Sequence, residues 1–232
     1  IPGADNYGAP AEEGYGVDVA HVSYQVDTWL WDNPDQDAGT AVAVNGEGQS
    51  YTRATGDDAN FKPNERVEAS AVLTWDPENG ASFVTTGLRV DADHLNIPTD
   101  AFAAEAGHGF SFLARTGGHN ETVEIDNIDL QKGWTNLDQL ESYASSFDFD
   151  DGTTDLGDGS TISSDNGAAP ASVQGGALRM TTAENGGGGA AFVLPPGFDG
   201  SGGWTMSFDF VVEHTGGNTP ADGFSINYGA LP

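Results

Sequence analysis

The chain has no cysteine, two methionines and only 7 lysines and arginines in 232 residues. Without cysteine there can be neither a disulfide frame nor a thiolate metal site. The shortage of basic residues leaves 36 aspartates and glutamates largely uncompensated, for a formal charge of −29. That excludes a nucleic-acid partner, because binding a phosphate backbone needs a basic footprint. No apolar run approaches the roughly 18 residues of a membrane-spanning helix, and the first residues do not form a signal peptide. A secreted, processed or excised piece would have this form.

What is present points to turns and short strands. Glycine accounts for 33 residues and proline for 11, the glycine share being about twice the usual one. Asn-Gly, Asp-Gly and Gly-Gly steps recur, the signature of tight hairpins. A hydrophobic content of 37% with 12 Phe and 5 Trp is enough for a packed core and argues against disorder despite the charge. The carboxylates either form a solvated acidic surface or, where they cluster in turns, supply oxygen ligands for calcium.

Alternation of apolar and polar residues bounded by turn residues predicts strands over 18–27, 40–45, 49–54, 66–75, 82–90, 109–115, 122–130, 146–149, 172–181, 189–193, 203–213 and 224–228. Such a series of short antiparallel-compatible strands predicts an all-β antiparallel β-sandwich. Helical signal is weak. Residues 99–105 could form one turn, capped by Thr99 or Asp100, and 136–145 (NLDQLESYAS) reads as a connector helix capped by Asn136.

Taken in order, 146–232 resembles the beginning of a domain and 1–130 its end. "SFDFDDGTTDLGDG" resembles the opening strand of a concanavalin A-like (laminin G/L-type lectin-like) jelly roll, and "GGWTMSFDFVVEHTGGNTPADGFSINYG" its central strands. "EEGYGVDVAHVSYQVDTWLWDNPDQDAGTAVAVNG" resembles the strand and metal loop that follow, and "GHGFSFLARTGGHNETVEIDNIDL" the closing strands. The resemblance implies a jelly roll in circularly permuted strand order. Residues 1–130 would be the C-terminal portion, 131–145 the connector and 146–232 the N-terminal portion. The fold would close within the chain or through neighbouring copies in a tandem array, by strand exchange.

The same resemblance implies sites. "PADGFSI" is similar to the family's sugar loop, with Asp222 accepting hydrogen bonds from sugar hydroxyls and Gly223 beside it. "VDTWLWDNPDQD" is similar to its metal loop, with Asp27, Asn33, Asp37 and the Trp29 carbonyl on Ca²⁺ and Asn33 also touching sugar. All are hard oxygen donors, as calcium requires. The family's second, transition-metal site needs a Glu two positions before the Asp; Gln25 stands there, so that metal is not expected. The alternative is that Asp222-Gly223 only builds a strand-entry turn and that 32–39 is a solvated acidic loop. A second calcium site is open to Asp126, Asp148 and Asp150, with Asp129 and Asp151 nearby, if the strands bearing them meet. Otherwise they form an acidic edge that deters sheet-to-sheet aggregation.

No catalytic residue is assigned. Glu124-Ile125-Asp126-Asn127-Ile128-Asp129 is similar to the Glu-x-Asp-x-x-Glu strand of laminarinase-type glycoside hydrolases, which use two carboxylates about 5–5.5 Å apart for retention. Its last position is the shorter Asp, and the segment is expected on a closing outer strand rather than in a cleft. The five histidines are scattered without metal-ligand spacing. Asn120-Glu121-Thr122 matches a glycosylation sequon. Two functions follow. One is a non-catalytic structural or adhesive repeat of a secreted or cell-surface protein, partnered by copies of itself in fibres. The other is a calcium-dependent carbohydrate-binding module with a polysaccharide partner.

Overall fold

The computed structural model describes residues 20–28, 39–54, 56–116, 120–132, 144–150, 152, 171–182, 188–193, 198–216, 220 and 223–230. In chain order the described strands are β1 (His21–Asp27), β2 (Gly39–Val44), β3 (Glu47–Arg53), β4 (Arg66–Asp76), β5 (Gly80–Thr86), β6 (Asp93–Ile97) and β7 (Gly109–Arg115). They continue with β8 (Thr122–Lys132), β9 (Ala144–Phe147), β10 (Ser172–Gln174), β11 (Ala177–Arg179), β12 (Gly188–Val193), β13 (Trp204–Glu213) and β14 (Gly223–Gly229). Two single turns of 3-10 helix, at Gly56–Asp58 and Gly200–Gly202, complete the regular structure.

The expected all-β sandwich is observed. One sheet has six strands in the order β12-β7-β14-β1-β2-β3. The other has eight, β10-β11-β8-β13-β4-β5-β6, with β9 paired to β8 beside β11. Every strand pair is antiparallel. Strands from before residue 131 and after residue 145 interleave in both sheets. β14 lies between β7 and β1, and β13 between β8 and β4.

Alternation drives this arrangement. In β13 the residues Trp204, Met206, Phe208, Phe210 and Val212 are buried, while those between them are half-buried, the period-two pattern of a strand with one face on the core. Facing them from the six-stranded sheet are Phe224, Ile226 and Tyr228 of β14 and Phe110 and Phe112 of β7. Their rings meet edge to face, as at Phe110–Trp204 (4.8 Å between centroids, 85°) and Phe210–Phe224 (5.1 Å, 63°), the geometry that ring quadrupoles prefer. The opposite face of the six-stranded sheet is polar yet also buried, with Ser23, Gln25, Ser111, Ser225 and Asn227 no more than 5% exposed. There Asn227 donates to Ser225 (3.2 Å), and Gln25 to Ser23 (3.0 Å).

A bulge keeps β8 in phase with the core. Against β13, Asp126 pairs with Asp209 and Asp129 with Ser207, so β8 carries one extra residue. Asn127 absorbs it at φ +52, a left-handed conformation that Asn tolerates better than other residues with a side chain. Val123 and Ile125 before the bulge and Ile128 and Leu130 after it therefore all point inward. Without the insertion one pair would turn to solvent.

Several sequence expectations are corrected. The strand expected over 172–181 is a hairpin, β10 and β11, turned at Gly175-Gly176. The strand expected over 82–90 is Gly80–Thr86, followed by an unanticipated edge strand, β6. The strand expected over 146–149 is Ala144–Phe147, so positions 144 and 145 of the expected connector helix are extended; 133–143 lie outside the described residues. Residues 99–105, by contrast, hold the single turn expected there, closed by Phe102 N–H to the Thr99 carbonyl at 2.8 Å. β8 is an inner strand of its sheet, not a closing outer one.

Candidate functional site

At one pole of the sandwich β1 ends and β14 begins. Val26 pairs with Phe224, which sets Asp27, the first expected calcium ligand, opposite Gly223 of the expected sugar loop. Gly223 has φ +103, and a Cβ there would stand 2.1 Å from the Val26 carbonyl oxygen and 3.1 Å from Asp27 Cα. Only glycine fits, because the two backbones touch. Asp27 is half-buried. Of the remaining residues implied for this site, Asp222, Trp29, Asn33 and Asp37 lie outside the described residues.

The pole is fastened by a residue that the sequence reading passed over. Glu121, fully buried, accepts the Gly223 N–H on Oε1 at 2.8 Å and the Thr28 hydroxyl on Oε2 at 2.6 Å. Its own carbonyl accepts from Thr181 Oγ1 at 2.9 Å, and that oxygen in turn accepts the Val123 N–H at 2.9 Å. The Glu121 carboxylate thus joins the end of β1 to the start of β14, and its carbonyl ties them through Thr181 to the start of β8 and the segment after β11. Hydrogen bonds to a charged acceptor are the stronger kind, and a buried carboxylate needs them to offset its desolvation. In sequence Glu121 is the middle of a sequon-like triplet, and nothing local marks it as a clamp.

A second acidic group forms on the outer face of the eight-stranded sheet. Asp126 and Asp209 are directly opposed across β8 and β13, and Asp148 and Asp150 follow β9, which pairs with the second half of β8. Burial raises the Asp126 pKa above the usual carboxylate value; the neighbouring charges of Asp150, Asp209 and Asp148 push it the same way, and the Asn127 N–H bond partly opposes them. The structure therefore brings Asp126, Asp148 and Asp150 into electrostatic reach of one another and adds Asp209. Even so, among the described residues no group of three or more His, Asp or Glu side chains is arranged to hold a metal ion.

Asp209 is engaged by Ser70 Oγ (2.6 Å) and Asn127 Nδ2 (2.8 Å). The bulge sets Glu124, Asp126 and Asp129 on one outward face of β8. Glu124 is taken up by Arg179, whose Nε and Nη2 reach Oε1 at 2.9 and 2.5 Å.

Comparison of the sequence with protein-family models and with curated proteins found no match. The chemistry of the Gly223 pole and of the outer face therefore carries the functional reading by itself.

Proposed function

We infer that this chain is a non-catalytic adhesive module of a secreted or cell-surface protein, binding saccharide in a calcium-dependent manner at the Gly223 pole. The finer fold reading that accompanies it is a concanavalin A-like jelly roll in permuted order. The observation that carries the inference is the direct opposition of Asp27 and Gly223 across β1 and β14. One residue from each of two motifs about 200 residues apart in sequence thus lies at one pole, which supports the reading of those motifs as metal loop and sugar loop.

Asp27 would hold Ca²⁺ together with Asn33, Asp37 and the Trp29 carbonyl, a set of oxygen donors matched to that ion. The ion would order the loop that presents Asn33. Asp222 would accept hydrogen bonds from sugar hydroxyls, and Glu121 would fix the backbone beside it. A glycan array run with calcium and again with EDTA tests this. Sugar binding that is lost on chelation supports the reading, and no sugar binding in either condition sinks it.

A purely structural repeat that assembles with copies of itself is the second reading. It is favoured by the interleaving of strands from both parts of the chain in both sheets, since a neighbour's strands could fill the same positions. Sizing over a wide dilution range separates the two: concentration-dependent ladders favour assembly, and a monomer at all concentrations excludes obligatory exchange.

A further inference from the structure

The opposite pole holds a cleft of about 650 Å³ that the reading above does not use. One wall is the hairpin turn between β4 and β5, with Glu78 and Asn79 at its tip; another is the segment from Asn96 to Ala104, and Ser201 closes a third side. The floor is aromatic. Trp75 and Phe102 meet edge to face at 5.5 Å and 85°, and Trp75 Nε1 donates to Thr99 Oγ1 at 3.2 Å. Glu78, Asn79, Asn96 and Asp100 on the rim are exposed.

Unpaired polar atoms gather at this pole. Asp76, between lining residues Trp75 and Pro77, is 2% exposed. Its Oδ1 accepts the N–H groups of Glu78 (2.7 Å) and Asn79 (2.8 Å) and Asn79 Nδ2 (3.1 Å), shaping the turn. Its Oδ2 is buried with no partner among the described residues. Trp204 Nε1 and the Tyr228 hydroxyl, in the aromatic cluster behind Trp75 and Phe102, are also buried and have no partner among the described residues. Tyr228 packs with its hydroxyl against Gly200, next to lining residue Ser201. Buried polar atoms are nearly always satisfied by protein or ordered water, so the described residues leave hydrogen-bonding capacity open behind this cleft.

The described lining contains no Lys, Arg or His, which disfavours phosphate, sulfate or carboxylate ligands. It offers carboxylates and hydroxyls as acceptors, amides and hydroxyls as donors, and an apolar lining of Pro77, Pro98, Ala103 and Ala104 over the buried rings of Trp75 and Phe102. That mixture matches a neutral sugar, whose hydroxyls both donate and accept and whose C–H face is apolar. An amine would use the carboxylates but leave the amide donors idle. The volume lies within the usual range for small-molecule sites, roughly 300–1,000 Å³.

We propose that the cleft between the β4–β5 turn and residues 96–104 is a second binding site, for a neutral saccharide, that needs no metal ion. It is independent of the Gly223 pole, and together the two sites would make one module bivalent, so that it could bridge two glycan chains.

The test is isothermal titration of the full chain in EDTA with a panel of neutral disaccharides: cellobiose, maltose, xylobiose, laminaribiose and chitobiose. The expected result is chelator-resistant binding of at least one sugar, weakened on the order of tenfold by Glu78→Ala and by Asp100→Ala. Asp27→Asn leaves this binding unchanged, which separates it from the calcium-dependent site. Both alanine variants change exposed side chains, and their circular dichroism and melting temperature are checked against the parent chain. Absence of chelator-resistant binding to every sugar, binding untouched by both alanine variants, or binding of spermidine instead of the sugars would overturn the proposal.

Discussion

Glu121 Oε1 accepts the backbone N–H of Gly223 at 2.8 Å across 102 residues of sequence, while Oε2 takes the Thr28 hydroxyl at 2.6 Å. Glu121→Gln keeps the shape but replaces one acceptor by a donor. It is expected to cost about 1–3 kcal/mol in urea unfolding, because at least one buried partner is left unmatched. Glu121→Ala costs more, since both partners are stranded. Under the proposed function both variants also weaken calcium-dependent sugar binding, through the misplaced Gly223 backbone.

His94 of β6 joins the two sheets at their edge. Its Nε2 lies 3.1 Å from Thr40 Oγ1 on β2, its Nδ1 2.7 Å from Ser50 Oγ on β3, and its ring stacks on Phe83 of β5 at 6.0 Å. Burial lowers its pKa from 6.5; the Thr40 bond and the charge of Asp93 partly oppose this. Above about pH 6.5 the imidazole is neutral in both folded and unfolded chains, so it adds no pH dependence there. As pH falls below that value the unfolded chain takes up the proton first, and stability declines until the folded pKa is passed. Urea midpoints between pH 8 and 5 should show this fall, and His94→Gln should flatten it.

Asp126 presents the opposite sign. Its folded pKa is raised by burial and by Asp150, Asp209 and Asp148, so the folded state holds the proton more tightly than the unfolded chain. That contribution is fully present below the unfolded value and is lost as pH rises through the folded pKa. Asp126→Asn should therefore raise the melting temperature at pH 7 and have little effect near pH 3. The Asn127 N–H keeps an acceptor in the new amide oxygen.

Asn127→Gly should be nearly neutral for the backbone, whereas Asn127→Val should cost about 1–2 kcal/mol because a β-branched residue resists φ +52. Both variants lose the Asn127–Asp209 bond, so the difference between them isolates the strain. Equal unfolding free energies for the two would show that the bulge does not need the left-handed residue.

Much of the fold was legible because its strongest signals are local. Asn45-Gly46, at φ +52 and +78, turns β2 into β3 as an Asn-Gly step between apolar runs suggests. The alternation of β13 and β14 marked the core strands. β6 escaped because DHLNI alternates weakly; it lies at the sheet edge, pairs irregularly with β5 and leaves Leu95 55% exposed. The connector helix is suggested by Leu137, Leu140 and Tyr143 at helical spacing; these lie outside the described residues, and only its last two positions, 144 and 145, are seen, paired with β8.

The same division holds at the site. Short motifs single out Asp27 and Gly223 but not their adjacency, and no local signal marks the bulge that aligns Glu124, Asp126 and Asp129. Glu121 clamps residues 93 and 102 positions away, so its role exists only in three dimensions. The cleft at the opposite pole is likewise assembled from three separate segments and leaves no mark in any one of them.

The most direct test of the central claim, that Asp27 and Gly223 belong to one calcium-and-sugar site, is the calcium affinity of the chelator-stripped chain measured with and without saturating sugar. The sugar is the one identified on the calcium-supplemented array. Linkage requires that if calcium promotes sugar binding, sugar tightens calcium binding by the same factor. The account predicts tighter calcium binding in the presence of sugar, with both affinities reduced in Asp27→Asn. A calcium affinity indifferent to sugar, or unaltered by Asp27→Asn, would contradict it.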